Sequence, residues 1–261
     1  MTRVVKLGGR AQQAPELVPA LVAAWRSTPG TLVVVHGGGD EVSALQRAMG
    51  REPQFVDGRR VTTDDDIALL RMVLSGLVNK RLVAALVAAG VPAVGISGED
   101  AALLSATPVD IATMGHVGEP DRIDARLVRH LLKGTFLPVI SPLARDTRSP
   151  AGNALNINGD DAAAALAVAL GATELLLIAD VPGVLHQGHV APVLDSERVS
   201  SLIAAGEVTA GMIAKLEAST RALAGGVSRV RIGDLSVLGD PAQGTRIVAA
   251  SASRAFVRAL A

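Results

Sequence analysis

Short, continuously apolar runs recur along the chain. They are Val4-Val5-Lys6-Leu7, Leu32-Val33-Val34-Val35, Ala93-Val94-Gly95-Ile96, Leu137-Pro138-Val139-Ile140, Leu175-Leu176-Leu177-Ile178, Val230-Arg231-Ile232 and Arg246-Ile247-Val248. Unbroken rather than alternating apolarity predicts strands covered on both faces. Between the runs, helices are predicted over 15–25, 40–49, 64–77, 79–89, 124–132, 160–170, 196–205 and 212–224, with Asp40 as an acidic N-cap. The alternation specifies an α/β fold with a mainly parallel central sheet flanked by helices. A boundary after Leu170-Gly171 divides it into lobes 1–171 and 172–261 that share one sheet.

Lys plus Arg and Asp plus Glu each number 25, so net charge is zero and neither nucleic acid nor an acidic membrane surface is an expected partner. With no cysteine, disulfides, thiolate metal sites and a cysteine nucleophile are excluded. The opening residues do not read as a signal peptide, and no run of about 18 apolar residues exists, so the cytoplasm is expected. Three Phe, one Trp and no Tyr leave little for stacking a nucleobase; aliphatic side chains and backbone groups would have to hold one.

Three glycine-rich turns follow predicted strands: Lys6-Leu7-Gly8-Gly9, His36-Gly37-Gly38-Gly39-Asp40 and Asp180-Val181-Pro182-Gly183. Any one could simply turn the chain. Three at strand ends in one α/β chain point to anion binding, because glycine lets backbone N–H groups approach closely and helix N-termini favour negative charge. Walker and dinucleotide-binding glycine patterns are absent.

Lys6 is a charge inside an apolar strand, either snorkelling from a sheet edge or serving an anion. Lys215 lies early in an apolar helix, either solvated or turned inward. Asn156-Ile157-Asn158-Gly159-Asp160 precedes an Ala-rich helix; Asp160 could cap it, and the asparagines exceed what capping needs. Asp57-Gly58-Arg59-Arg60-Val61-Thr62 pairs arginines beside a turn, and arginine matches a carboxylate bidentately. His186 and His189 lie close together on a loop with no evident partner, and no protein-ligated metal is assigned.

Taken in order, these motifs resemble the amino acid kinase superfamily and, within it, the acetylglutamate kinases. The resemblance extends from Lys6-Leu7-Gly8-Gly9 to Gly244-Thr245-Arg246-Ile247. It includes Leu74-Ser75-Gly76-Leu77-Val78-Asn79-Lys80, Gly115-His116-Val117-Gly118 and Gly211-Met212-Ile213-Ala214-Lys215. It implies phosphorylation of the side-chain carboxylate of N-acetyl-L-glutamate by ATP, the second step of arginine biosynthesis, with Mg²⁺ held mainly by the phosphates. Lys6 and Lys215 then neutralise the transferring phosphoryl group, and Asp160 orients both. Gly38 and Gly39 donate around substrate and γ-phosphate. Arg60 and Asn156 hold the acylated amino acid. Gly8, Gly9, Asp180, Val181, Pro182, Gly183, Val184, Leu185, Val208 and Thr209 contact the nucleotide. A carboxylate is already a nucleophile at neutral pH, so charge and alignment form the barrier.

Two positions depart from the family pattern: Arg59 stands where Leu is common, and Gly159 where Ala is usual. Arg59 leaves open a related substrate such as N-acetyl-aminoadipate, N-succinylglutamate or a carrier-linked acid. A non-catalytic regulator would be expected to lose Lys6, Asp160 or Lys215, and all three are present. Leu82, Val83, Leu86 and Val87 crowd the 79–89 helix and predict a homodimer. The chain starts almost at its first strand, so an N-terminal helix of the kind that makes relatives hexameric and arginine-regulated is not expected.

Overall fold

The apolar runs become strands whose alternating side chains feed two cores. The computed structural model describes residues 1–56, 58–149 and 151–250. In chain order the strands are β1 (Arg3–Leu7), β2 (Leu32–His36), β3 (Phe55–Val56), β4 (Arg59–Arg60), β5 (Ala93–Ser97), β6 (Leu104–Pro108), β7 (Val117–Ile123) and β8 (Leu137–Ser141). They continue as β9 (Leu143–Asp146), β10 (Ala154–Ile157), β11 (Glu174–Ile178), β12 (Leu185–His186), β13 (His189–Val190), β14 (Val193–Asp195), β15 (Arg229–Gly233) and β16 (Thr245–Val248). The helices are α1 (Leu17–Ser27), α2 (Gly39–Ala48), α3 (Asp64–Leu70), α4 (Asn79–Ala88), α5 (Ile111–Met114), α6 (Arg126–Lys133), α7 (Gly159–Leu170), α8 (Ser196–Ala204) and α9 (Ala210–Ala224).

One sheet runs in the order β14-β16-β15-β11-β1-β2-β8-β5. Its pairings are parallel except β15 with β16. The sheet crosses the 171/172 boundary without a break, because β11 pairs directly with β1. Val4, Val33, Leu175 and Leu177 pack on one face with Ala163, Leu166 and Ala167 of α7 and Leu216 of α9. Val5, Val34 and Leu176 pack on the other with Leu17 and Leu21 of α1 and Leu82 and Leu86 of α4. Each such fully buried aliphatic side chain contributes about 1.5–3 kcal/mol.

The period-two alternation also settles Lys6. It shares a face with Val4, not Val5, and therefore points toward α7 and α9. Strand β1 is interior to the sheet, so the reading of Lys6 as an edge-strand lysine is wrong.

Other expectations need correction. The helix predicted over 64–77 is two pieces: α3, started by a Thr63–Asp66 capping box, then a π-helical stretch over Arg71–Val78. Leu82 and Leu86 are spent on the chain's own core, so they are not surplus apolar surface. Strands β6, β7, β9 and β10 close on themselves into a small barrel, with β6–β7 and β9–β10 antiparallel and β7–β10 and β6–β9 parallel, that the sequence did not announce. Hairpins β3–β4 and β12–β13 are likewise new.

Candidate active site

Parallel strands end together, and here their ends carry the glycine turns. Leu7 of β1 lies in register with His36 of β2 and Ile178 of β11, so the chain segments that follow all emerge at one sheet edge. Beyond that edge lies a cavity of about 510 Å³ lined by Gly8, Gly9, Asp180, Val181, Thr209 and Lys215, among others. A second cavity of about 190 Å³ is lined by Arg60, Asn156, Phe55 and Leu74. Both include Lys6, Gly37, Gly38, Gly39, Asn158 and Asp160, so the two are chambers of one cleft that meet at these residues.

Asp160 holds both lysines: Lys6 Nζ lies 3.0 Å from Oδ1, and Lys215 Nζ lies 3.2 Å from Oδ2. Asp160 is 4 % exposed and Lys6 8 %. Burial alone would push the Asp160 carboxyl up, but the two ammonium groups outweigh it and hold it below the usual carboxylate range. Burial draws the Lys6 ammonium below its usual range, against the pull of Asp160 and with the charge of Lys215 adding to the effect. An entering polyphosphate would oppose that shift. Asp160 is not the helix cap: Asn158 caps α7, its Oδ1 accepting from the Asp160 N–H at 2.8 Å. The cap on Asn158 frees the Asp160 carboxylate for the lysines. Gly159 gives Lys6 room, since a Cβ there would stand 3.1 Å from Lys6 Cε.

Asp40 is not a cap either; α2 begins at Gly39, with Gly38 in the N-cap position and no side-chain cap bond. The α9 N-terminus, capped by position at Thr209, also lacks one. Two helix N-termini without side-chain acceptors thus reach the larger chamber, an arrangement suited to phosphate. Gly38 has φ +151°, and a Cβ there would stand 2.7 Å from Leu74 Cδ2. Beneath it His36 is fully buried. Its Nδ1 meets the Gly37 carbonyl at 2.7 Å, and its Nε2 meets Asn79 Nδ2 at 3.1 Å. Burial lowers its pKa to about 4, so it is neutral, donating from Nδ1 and accepting at Nε2. No sequence pattern marked His36 and Asn79 as a pair supporting the glycine turn.

Arg60 projects into the small chamber. Its Nη2 donates to the Gly39 carbonyl at 2.9 Å and to Ser43 Oγ at 2.7 Å, its Nη1 donates to Gln46 Oε1, and the Phe55 ring lies under it at 4.7 Å. Asn156 Nδ2 donates to Thr62 Oγ1 at 3.0 Å. Ser43, Gln46 and Thr62 were missed, being scattered ordinary polar residues that only the fold assembles. Asp57, grouped with the arginines by sequence, lies outside the described residues.

The nucleotide-side candidates divide. Gly8, Gly9, Asp180, Val181 and Thr209 line the large chamber, where Asp180 also pairs with Arg10 at 2.7 Å. Pro182, Gly183, Leu185 and Val208 are not among its lining residues. Val184 is buried in the core and gives its N–H to Thr245 Oγ1 at 2.8 Å. His186 is not partnerless: it meets Glu207 at 3.0 Å and Arg198 at 2.6 Å.

The sequence profile of the Amino acid kinase family matches residues 1–234. An acetylglutamate kinase of Geobacillus kaustophilus is 42 % identical, covering 88 % of this chain and 89 % of that one. An acetylglutamate kinase of Chloroflexus aurantiacus is 42 % identical, covering 91 % and 93 %. The crystal structure of smu.665 from Streptococcus mutans superposes with a TM-score of 0.84 at 33 % identity, covering 95 % of this chain and 98 % of that one.

Proposed function

The chain belongs to the amino acid kinase family, with acetylglutamate kinases among its relatives, and we propose that it transfers the γ-phosphoryl group of ATP to the side-chain carboxylate of N-acetyl-L-glutamate. The products are N-acetyl-L-glutamyl 5-phosphate and ADP, in arginine biosynthesis. One observation carries the reading: a small chamber with an arginine and a large chamber with helix N-termini meet at a carboxylate that holds one lysine from each side.

The small chamber takes the acylated amino acid, with Arg60 facing a carboxylate and Asn156 the amide region. The large chamber takes ATP, its phosphates over the turns at Gly8–Gly9 and Gly38–Gly39. A substrate carboxylate oxygen attacks the γ-phosphorus, and the bond to the β,γ-bridging oxygen breaks with its electron pair leaving on ADP. No general base is needed, since the nucleophile is already an anion. Lys6 lines both chambers and serves the transferring phosphoryl oxygens. Lys215 lines only the large chamber and serves the leaving side. Asp160 spaces the two lysines and takes no proton.

Mg²⁺ is proposed to enter with ATP, bound to its phosphates and shielding their charge. The Asp160 oxygens are committed to the lysines. Among the described residues, no group of three His, Cys, Asp or Glu side chains comes together to hold a metal.

Arg59 lines the small chamber: its Nη2 lies 3.2 Å from both Glu119 and Asp161, while its Nη1 is buried and has no hydrogen-bond partner among the described residues. The small chamber is lined wholly from residues 1–171 and the large one adds residues from 172–261, which supports the division into substrate and nucleotide lobes. A homodimer is proposed through the sheet edge at β5 and the neighbouring surface. There Met72, Leu77 and Val87 are exposed on and before α4, apolar surface that a second copy would cover. No helix among the described residues is long and apolar enough to cross a membrane, and we place the enzyme in the cytoplasm.

The test is coupled ADP release with N-acetyl-L-glutamate, N-succinyl-L-glutamate and N-acetyl-aminoadipate. The highest kcat/KM belongs to acetylglutamate; a preference for either other acid overturns the substrate assignment.

A further inference from the structure

Arg59 and Arg60 are adjacent in β4, and strand alternation sends their side chains to opposite faces. Arg60 enters the small chamber. Arg59 also lines that chamber, and its Nη2 lies 3.2 Å from both Glu119 Oε1 of β7 and Asp161 Oδ2 of α7. The other Asp161 oxygen receives Arg221 Nη2 of α9. Two cations and two anions balance. The Arg59 and Asp161 side chains are only 20 % and 6 % exposed.

These ion pairs connect three parts of the site. They start on the hairpin that carries Arg60, pass through the residue next to Asp160, and end on the helix that carries Lys215. The hairpin turn also lies close to α9 along the same route. Gly58, at the hairpin turn with φ +75°, is placed so that a Cβ there would stand 3.6 Å from Ala210 Cβ, at the first residue of α9. Glu119 and Arg221, at the two ends, are 59 % and 51 % exposed; the central Arg59–Asp161 pair is largely buried and adds little net stability, because desolvation offsets attraction.

We propose that Arg59 and Asp161 are positioning residues that couple occupancy of the acyl-amino-acid chamber to the placement of Lys215 on the nucleotide side. This rests on the functional reading above. Seating the substrate carboxylate on Arg60 fixes the β3–β4 hairpin. Arg59 transmits that position to Asp161 and Arg221, and so to α9. Neither residue needs to touch the reacting atoms. Coupling of this kind is reciprocal: a bound nucleotide tightens the acid by the same factor as the acid tightens the nucleotide.

The experiment is calorimetric binding of N-acetyl-L-glutamate, without and with saturating magnesium AMP-PNP. In the wild type the nucleotide analogue tightens the acid by about fivefold or more. Arg59→Gln and Asp161→Asn each bring that ratio close to one, while magnesium AMP-PNP alone binds within about twofold of wild type. The double variant is no worse than either single, because both remove one link. Arg59→Lys, which keeps a cation but loses the fork, retains part of the ratio. Full coupling in Arg59→Gln, or a wild-type ratio of one, overturns the inference. Should Asp161→Asn fail to fold, Arg59→Gln decides alone, since it leaves Asp161 paired with Arg221. A wild type that does not bind acetylglutamate at all overturns the functional reading, and the inference with it. Binding without coupling overturns the inference only.

Discussion

Lys215 Nζ donates to Asp160 Oδ2 at 3.2 Å across a sequence separation of 55 residues. The proposed catalytic arrangement therefore forms only when α9 has packed against the start of α7. With Lys6 on the opposite oxygen at 3.0 Å, one carboxylate sets the spacing of two cations.

That spacing makes the variants non-additive. Asp160→Asn keeps the α7 cap, which Asn158 provides, so the protein folds. Turnover falls by about 10²–10³, the scale for a lost preorganised electrostatic group. Adding Lys215→Ala costs much less than the product of the singles, because the lysine was already misplaced. Steady-state kcat for both singles and the double checks this, with melting curves as the folding control. Strict multiplicativity contradicts it.

The role proposed for Arg60 is in binding rather than in the chemical step. Arg60→Ala raises KM for the acyl-amino acid by about 10–100-fold, the scale of a lost hydrogen bond to a charged partner. The KM for ATP changes little. An unchanged acid KM with a collapsed kcat contradicts the assignment.

Gly38 has no substitute. At φ +151°, with Leu74 Cδ2 only 2.7 Å from the place a Cβ would occupy, Gly38→Ala strains the backbone of the turn and displaces the Leu74 side chain. The expected cost is about 1–3 kcal/mol, read as a lowered Tm, together with a loss of turnover larger than the Tm shift explains. A variant with wild-type Tm and kcat rejects this.

His36 makes stability pH-dependent in a defined window. Its folded pKa is about 4, below the unfolded value near 6.5, so between these values the unfolded chain binds more protons. Its contribution is intact above pH 6.5 and is lost as pH falls toward 4. Between pH 7 and pH 5 the loss is about 2 kcal/mol. Urea unfolding across that range shows it in the wild type and shows a flatter profile in His36→Gln. Equal slopes in the two proteins contradict the buried neutral imidazole.

The sheet was legible because its strands are buried on both faces and read as unbroken apolar runs; Leu175–Ile178 is such a run. The small barrel was not, because its strands break that pattern: β7 contains Glu119, Pro120, Asp121 and Arg122 within seven residues. Lys6 stood out as a charge where the period demanded none, and the glycine turns stood out by composition. What stayed hidden was which polar residue did which task. Asp160 and Asn158 are both good caps by type; only the resemblance paired Asp160 with the lysines, and the geometry shows that Asn158 is the cap. The hold on Arg60 by Ser43 and Gln46 depends on a helix that lies across the small chamber and leaves no local trace.

The central claim is phosphoryl transfer to a side-chain carboxylate, and trapping the acyl phosphate tests it most directly. Wild-type enzyme with ATP, Mg²⁺, N-acetyl-L-glutamate and hydroxylamine yields the 5-hydroxamate in step with ADP, measured by mass spectrometry. In Lys215→Ala both products fall together by about 10²–10³. ADP released without hydroxamate, or hydroxamate formed at the wild-type rate by Lys215→Ala, contradicts the account.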